Sequence, residues 1–499
     1  MVQNTISFPQ NRIKYTVTKF TKEKTMVFSS LTFIFVFLPL FLLAYYTISS
    51  HARNSVLFIG SLIFYTAGVL KQPFYLLLFL LMIAVNYSIG RFLSSEEDPA
   101  TRKTLLIGGL FFDFMWLFLF KYFDFFCSCI ADLLGLVLSD HAIPEVHLKL
   151  VLPLGISFYT FQMVSYLVDV YRGEVPAEES FLDFGAYVSM FPQLIAGPIV
   201  TYSSIRESLH AKRPYSLEAQ SGGLKDFIYG LGLKVILANQ FGSLWSNVQS
   251  IGYDSISTPL AWLGIFAYSF QIYFDFYGYS LMAIGLGKLL GFQLPVNFRH
   301  PYVAISMTDF WRRWHITLGQ WFRNYVYIPL GGNRTSRGKW IRNIFIVWIL
   351  TGIWHGAGWN FILWGLLLFV ILLIEKLGFG RILEKHPGIG HLYMFFLIPL
   401  SWMVFGITNI QDIGVYLTRL FPFLGHSSQI IYHGDFLKFL KDFRFIIPAG
   451  FLFSTMLPTH ILHRIKNTVA ESVICLFIFW LAIYCLHIGL NDPFLYFRF

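Results

Sequence analysis

The sequence predicts an all-α protein that crosses a membrane many times, and three observations carry that prediction. Of 499 residues, 56% are hydrophobic and only 13% charged, about half the charged share of an ordinary soluble domain. The apolar residues, 55 Phe among them, gather into runs near the roughly 20 residues that a helix needs to cross hydrocarbon. The basic excess, 37 Lys and Arg against 27 Asp and Glu, collects at the ends of those runs and in one long connection. That distribution follows membrane topology and excludes a nucleic-acid footprint. So much Phe and Tyr also excludes a disordered chain. The four cysteines lack zinc-ligand company, so neither a disulfide scaffold nor a metal site is expected.

Taken in order, residues 1–25 are polar and basic and lack the apolar core of a signal peptide. They read as an N-terminal extension, either an alternative start or a mobile tail, and Met26 opens the first apolar run. Residues 26–499 then form a single membrane domain. Candidate spans lie near 27–48, 55–70, 73–90, 104–120, 122–139, 150–170, 182–200, 224–248, 259–290, 341–374, 392–408, 444–458 and 470–490. Several are short or paired, which predicts roughly ten to twelve crossings with re-entrant or interfacial pieces. Between positions 299 and 342, the basic residues Arg299, Arg312, Arg313, Arg323, Arg334, Arg337, Lys339 and Arg342 face one acid, Asp309. This interfacial segment is expected on the cytoplasmic side. Residues 341–374 would make one helix of about 50 Å, too long for a hydrocarbon core of about 30 Å. A break at His355-Gly356-Ala357-Gly358 would divide it and return both basic flanks to one side.

Chemistry is concentrated in a few places. Trp311, Trp314, His315, Leu318, Trp321, Phe322 and Tyr325 recur at helical spacing, which predicts one amphipathic interfacial helix with Arg312, Arg313 and Arg323 turned away. His315 is the titratable group on its buried face. His355 lies at the centre of an apolar stretch, where an ionisable side chain is costly and therefore a functional candidate. Asp275, inside FQIYFDFYGYS, must pair, protonate or line water; a structural ion pair is the simpler role. Gln162 in LPLGISFYTFQ, the turn FPQLIAGP, and Asn360 after the His355 glycines supply further polar interruptions. Together they suggest the wall of a central tunnel.

FWRRWHITLGQWFRNYVYIPLGGNR followed by GIWHGAGWNFILWG resembles the membrane-bound O-acyltransferase (MBOAT) family. The ordered motifs LPLGISFYTFQ, FPQLIAGP, FQIYFDF and NFRHPY resemble in particular its alginate and peptidoglycan O-acetylation branch. The chain departs from that branch at Thr201, Tyr277 and Leu281. The resemblance implies an MBOAT fold around a tunnel, with His355 as the central histidine and His315 as the second functional one. It also implies Tyr496, in the C-terminal aromatic motif at 493–499, as an acyl relay. No bound cofactor is implied. The implied donor is acetyl-CoA or a similar acyl thioester, with Arg312, Arg313 and Arg323 as candidate donor contacts.

The expected function is acetyl transfer from a cytoplasmic donor across the bacterial cytoplasmic membrane. The implied acceptor is an extracytoplasmic polysaccharide, either an alginate-like polymer or peptidoglycan, reached through a secreted SGNH-type acetyltransferase. Three alternatives are D-alanyl transfer to teichoic acid, a non-enzymatic transporter of an acylated carrier, and a scaffold that only recruits the secreted enzyme.

Overall fold

The computed structural model describes residues 26–137, 148, 150–195, 197–425, 432, 434–489 and 495. The N-terminal extension and Tyr496 lie outside the described residues. Those described form helices and connections, with no strand among them.

The helices that position the site are α1 (Arg53–Gly68), α2 (Phe74–Ser95), α3 (Pro99–Leu117), α4 (Phe123–Val137) and α5 (Ile156–Arg172). Next come α6 (Leu217–Gly232), α7 (Asn239–Ile251) and α8 (Thr258–Leu289). The last five are α9 (Met307–Arg313), α10 (Ile316–Phe322), α11 (Arg337–His355), α12 (Trp359–Ile374) and α13 (Pro387–Gly406). Six helices among the described residues are long and apolar enough to span a membrane, or seven if Ile446–Ser454 and Leu457–Arg464, bent by 74°, count as one. The protein is therefore an all-helical, multi-pass membrane protein.

Some runs read as separate spans are one helix. Residues 104–120 and 122–139 merge into Pro99–Leu134, 36 residues long, with a wide π-helical turn at Phe118–Tyr122. Conversely, 182–200 forms only the short helices Phe181–Ser189 and Phe191–Leu194. Its turn is sealed by close packing: Gly155, at φ +75°, lies against the Leu194 carbonyl, where any side chain would collide.

The 32-residue α8 is the axis of the fold. It is buried on nearly all sides, as expected for a helix apolar all round. It runs antiparallel to α6 because Gly223 faces Gly285 and Gly230 faces Gly278 across the interface. A Cβ at any of the four would strike backbone of the opposite helix, so small residues set the approach distance. Gly278→Leu is expected to cost at least about 1–3 kcal/mol through overpacking. It should lower the thermal midpoint of the detergent-solubilised protein; a midpoint equal to wild type would refute this contact.

The predicted break after His355 is present. Gly356 and Gly358 have extended backbones and separate α11 from α12. Gly352 abuts the Phe361 carbonyl and Gly365 the Trp348 carbonyl. Pairing 352 with 361 and 348 with 365 makes the two helices an antiparallel hairpin. The start of α11 is tied to the preceding turn, because Asn343 donates to the carbonyls of Leu330 and Gly332, each at 3.1 Å.

The interfacial segment corrects the sequence reading. It is not one helix: α9 ends at Arg313, His315 takes a left-handed conformation (φ 44°), and α10 begins at Ile316. A distant segment causes the break. The Arg299 N–H donates to the Arg313 carbonyl at 2.9 Å, and the Ile316 N–H donates to the Asn297 carbonyl at 3.0 Å. These pairings replace bonds that a continuous helix would have made within itself. The apolar face survives the break, since Trp314, Leu318, Trp321 and Phe322 are all buried.

Candidate active site

His355 is the last residue of α11 and is 4% exposed. Its ring meets the edges of Trp354, Trp364 and Phe405 at centroid distances of 4.9, 5.3 and 5.1 Å. The aromatic cage fixes the imidazole against water on three sides. Two cavities meet the helix end that carries it. One, of about 630 Å³, is lined by His355, Trp354, Lys121, Ser157 and Ile195. The other, of about 1460 Å³, is lined by the Gly356–Gly358 turn, Asn360, Lys121 and an amide-rich stretch of α7 that includes Asn239, Gln240 and Asn247. Both lie at the end of α11 remote from Arg337, about 28 Å along a helix of 19 residues.

His315 is also buried and also neighbours Trp354. Its ring lies 5.9 Å from that indole and 4.7 Å from Phe276. The Asn297 amide oxygen accepts from the Thr317 N–H at 3.3 Å and from the Thr317 hydroxyl at 3.0 Å. The same oxygen lies 3.2 Å from His315 Nδ1. An acceptor there assigns the proton to Nδ1 and leaves the Nε2 lone pair available. Nε2 has no hydrogen-bond partner among the described residues. Both histidines thus neighbour one tryptophan, which joins the two motifs singled out in the sequence.

The other candidates divide. Asn360 is buried, donates to the Phe405 carbonyl at 2.9 Å and lines the larger cavity. Gln162 is buried on α5, and its side-chain oxygen has no partner among the described residues. Asp275 is in an ion pair with Lys234 at 2.8 Å and accepts from the Leu495 N–H at 2.9 Å. It is a partnered buried carboxylate, as its apolar setting demands. Arg312, Arg313 and Arg323 line neither cavity. Arg313 pairs with Asp309 at 2.9 Å, while Arg323 is exposed and donates to the Asn324 side chain at 3.1 Å.

Glu178, Asp183 and His210 bring ligand-type atoms within 4.8 Å of one another. Glu178 there already accepts from the Tyr202 hydroxyl, from His210 and from two backbone N–H groups. The cluster is a hydrogen-bonded staple.

Sequence reasoning missed Lys121, and it quoted Ser157 and Asn297 only within the motifs LPLGISFYTFQ and NFRHPY. Lys121 fell between two apparent spans; recognising one continuous helix would have marked it as an intramembrane charge.

The fold is that of an all-helical membrane protein, with two buried histidines beside one tryptophan and one of them lining a cavity. The chain belongs to the membrane-bound O-acyltransferase family, whose pattern it matches over residues 64–387, and it is an acyltransferase. It is 39% identical over 388 residues to the probable alginate O-acetylase AlgI of Pseudomonas aeruginosa, covering 77% of this chain and 73% of that one. It is 36% identical over 425 residues to the peptidoglycan O-acetyltransferase of Helicobacter pylori, covering 78% of each. A teichoic acid D-alanyltransferase of Streptococcus thermophilus is 30% identical over 230 residues, covering 43% of this chain and 54% of that one.

Proposed function

We propose that the protein transfers an acetyl group from a cytoplasmic thioester, acetyl-CoA or a close analogue, for O-acetylation of a polysaccharide outside the bacterial cytoplasmic membrane. His355 is the general base. The observation that carries this reading is a caged, buried imidazole that lines one cavity and immediately precedes the turn lining a second, at the end of α11 remote from the basic segment. That segment faces the cytoplasm, and the cavities face outward. The peptidoglycan and alginate O-acetylating relatives match over three quarters of the chain, the D-alanyl-transferring relative over less than half; this favours an acetyl group and a polysaccharide acceptor.

In the reaction, His355 takes the proton of a hydroxyl nucleophile as its oxygen attacks the thioester carbonyl. The new C–O bond forms, the C–S bond breaks, and the proton passes to the departing thiolate. Tyr496 is the proposed nucleophile, and a secreted SGNH-type transferase takes the acetyl group from it to the polymer. His315, with its proton held on Nδ1, offers Nε2 to the donor side of the same path.

Labelled acetyl-CoA incubated with purified protein tests the chemistry. Release of CoA thiol is the expected result, and labelled donor that stays intact while moving across a vesicle wall would favour a transporter instead. His315→Ala should lower thiol release by at least about 10-fold at an unchanged thermal midpoint. A loss that only tracks a lower midpoint would reduce His315 to an anchor of the broken helix.

A further inference from the structure

The helix that carries His355 ends abruptly, and its end is held from outside. The last carbonyls of any α-helix lack intrahelical partners, and in α11 two of them lie directly before the histidine. The Ile353 carbonyl accepts from the Tyr122 hydroxyl at 2.9 Å, and the Trp354 carbonyl accepts from Lys121 Nζ at 2.6 Å. Both donors come from the wide π-helical turn Phe118–Tyr122, more than two hundred residues earlier in the chain. Such turns interrupt a helix at a cost and recur at functional sites. Here the turn supplies two consecutive donors to consecutive carbonyls.

Lys121 does more than a hydroxyl could. Its Nζ also lies 3.3 Å from the Ser157 hydroxyl and 5.8 Å from the centroid of the Trp354 ring. It therefore links α5, the π-helical turn and the end of α11. Lys121 is also one of the few residues that line both cavities. Gly356 follows His355 with an extended backbone, so nothing in the chain beyond the histidine continues the helix. The carbonyl of the Trp354–His355 peptide, free of any intrahelical partner, is then held from outside by Lys121.

We propose that Lys121 is a positioning residue for the acyl transfer: its bond to the Trp354 carbonyl fixes the backbone from which His355 reaches the reacting atoms. The inference rests on His355 being the base. Misplacing a catalytic group by about 1 Å can cost on the order of 100-fold in rate, whereas substrate affinity has no reason to change.

The test compares Lys121→Met and Lys121→Gln with wild type in detergent, each normalised to folded protein, reading kcat as the single-turnover rate constant of CoA release from acetyl-CoA and KM as the donor concentration that half-saturates it. Met keeps the apolar stem and removes every donor. Gln keeps a polar head, but one atom shorter, so its N–H falls short of the carbonyl. Both are expected to lose between about 10- and 100-fold in kcat with KM within about twofold of wild type. Wild-type kcat per folded molecule in either variant would overturn the proposal. If Lys121→Met yields no folded protein, the kcat of Lys121→Gln decides alone. His355→Gln run beside them separates the two assignments. Full turnover in His355→Gln would sink the base itself; a dead His355→Gln beside a fully active Lys121→Gln would sink only the role of Lys121.

Discussion

His355→Gln is expected to fold, insert and bind donor, and to lose at least about 100-fold in acetyl transfer. The side chain sits in a cage of three aromatic rings, and Gln roughly matches its volume without an imidazole base. The cage walls come from α11, α12 and α13, and α11 packs on α12 through the glycine hairpin, with no part played by the imidazole. Stability should therefore change by less than about 1.5 kcal/mol, the range of volume-conserving swaps. Polymer acetylation in cells, read beside the amount of folded protein, checks both halves. Near-normal acetylation would remove His355 from the chemistry.

The second large effect is expected at the C-terminus. Tyr496→Phe deletes one hydroxyl and keeps the ring, so a tyrosine that only anchors the chain at the membrane interface would tolerate the change. A tyrosine that carries the acyl group would not. Polymer acetylation should be abolished, and labelled acetyl should be recovered on the C-terminal peptide of wild type but not of the variant. The neighbouring Leu495 lines the larger cavity and donates its N–H to Asp275. Wild-type acetylation by Tyr496→Phe would return residues 493–499 to the role of an anchor.

Much of this architecture is legible in the sequence. The break after His355 follows from arithmetic, because 34 apolar residues exceed the bilayer and three glycines sit at the middle. The burial of His315 follows from its spacing relative to the tryptophans, and the pairing of Asp275 follows from its apolar surroundings. What escapes local reading depends on distant partners. The interfacial helix breaks at His315 because residues 297 and 299 bond to its backbone, and helical periodicity carries no signal of that pairing. The same periodicity says that Arg312, Arg313 and Arg323 share an outer face, but not that this face lies away from both cavities. Lys121 escaped for another reason: hydropathy falls at a single charge whether the chain leaves the membrane there or stays inside it. The wide turn that keeps it inside shows only in the backbone.

The central claim is that the acetyl group crosses the membrane through this protein while its donor stays behind. Purified protein reconstituted in sealed, protein-oriented vesicles, with acetyl-labelled acetyl-CoA only on the side of the basic 299–342 segment, tests it most directly. Acetyl label should appear on the C-terminal peptide exposed on the opposite side, CoA should remain where it was added, and His355→Gln vesicles should do neither chemistry nor transfer. Intact acetyl-CoA on the far side, or label transferred equally well by His355→Gln, would contradict the account.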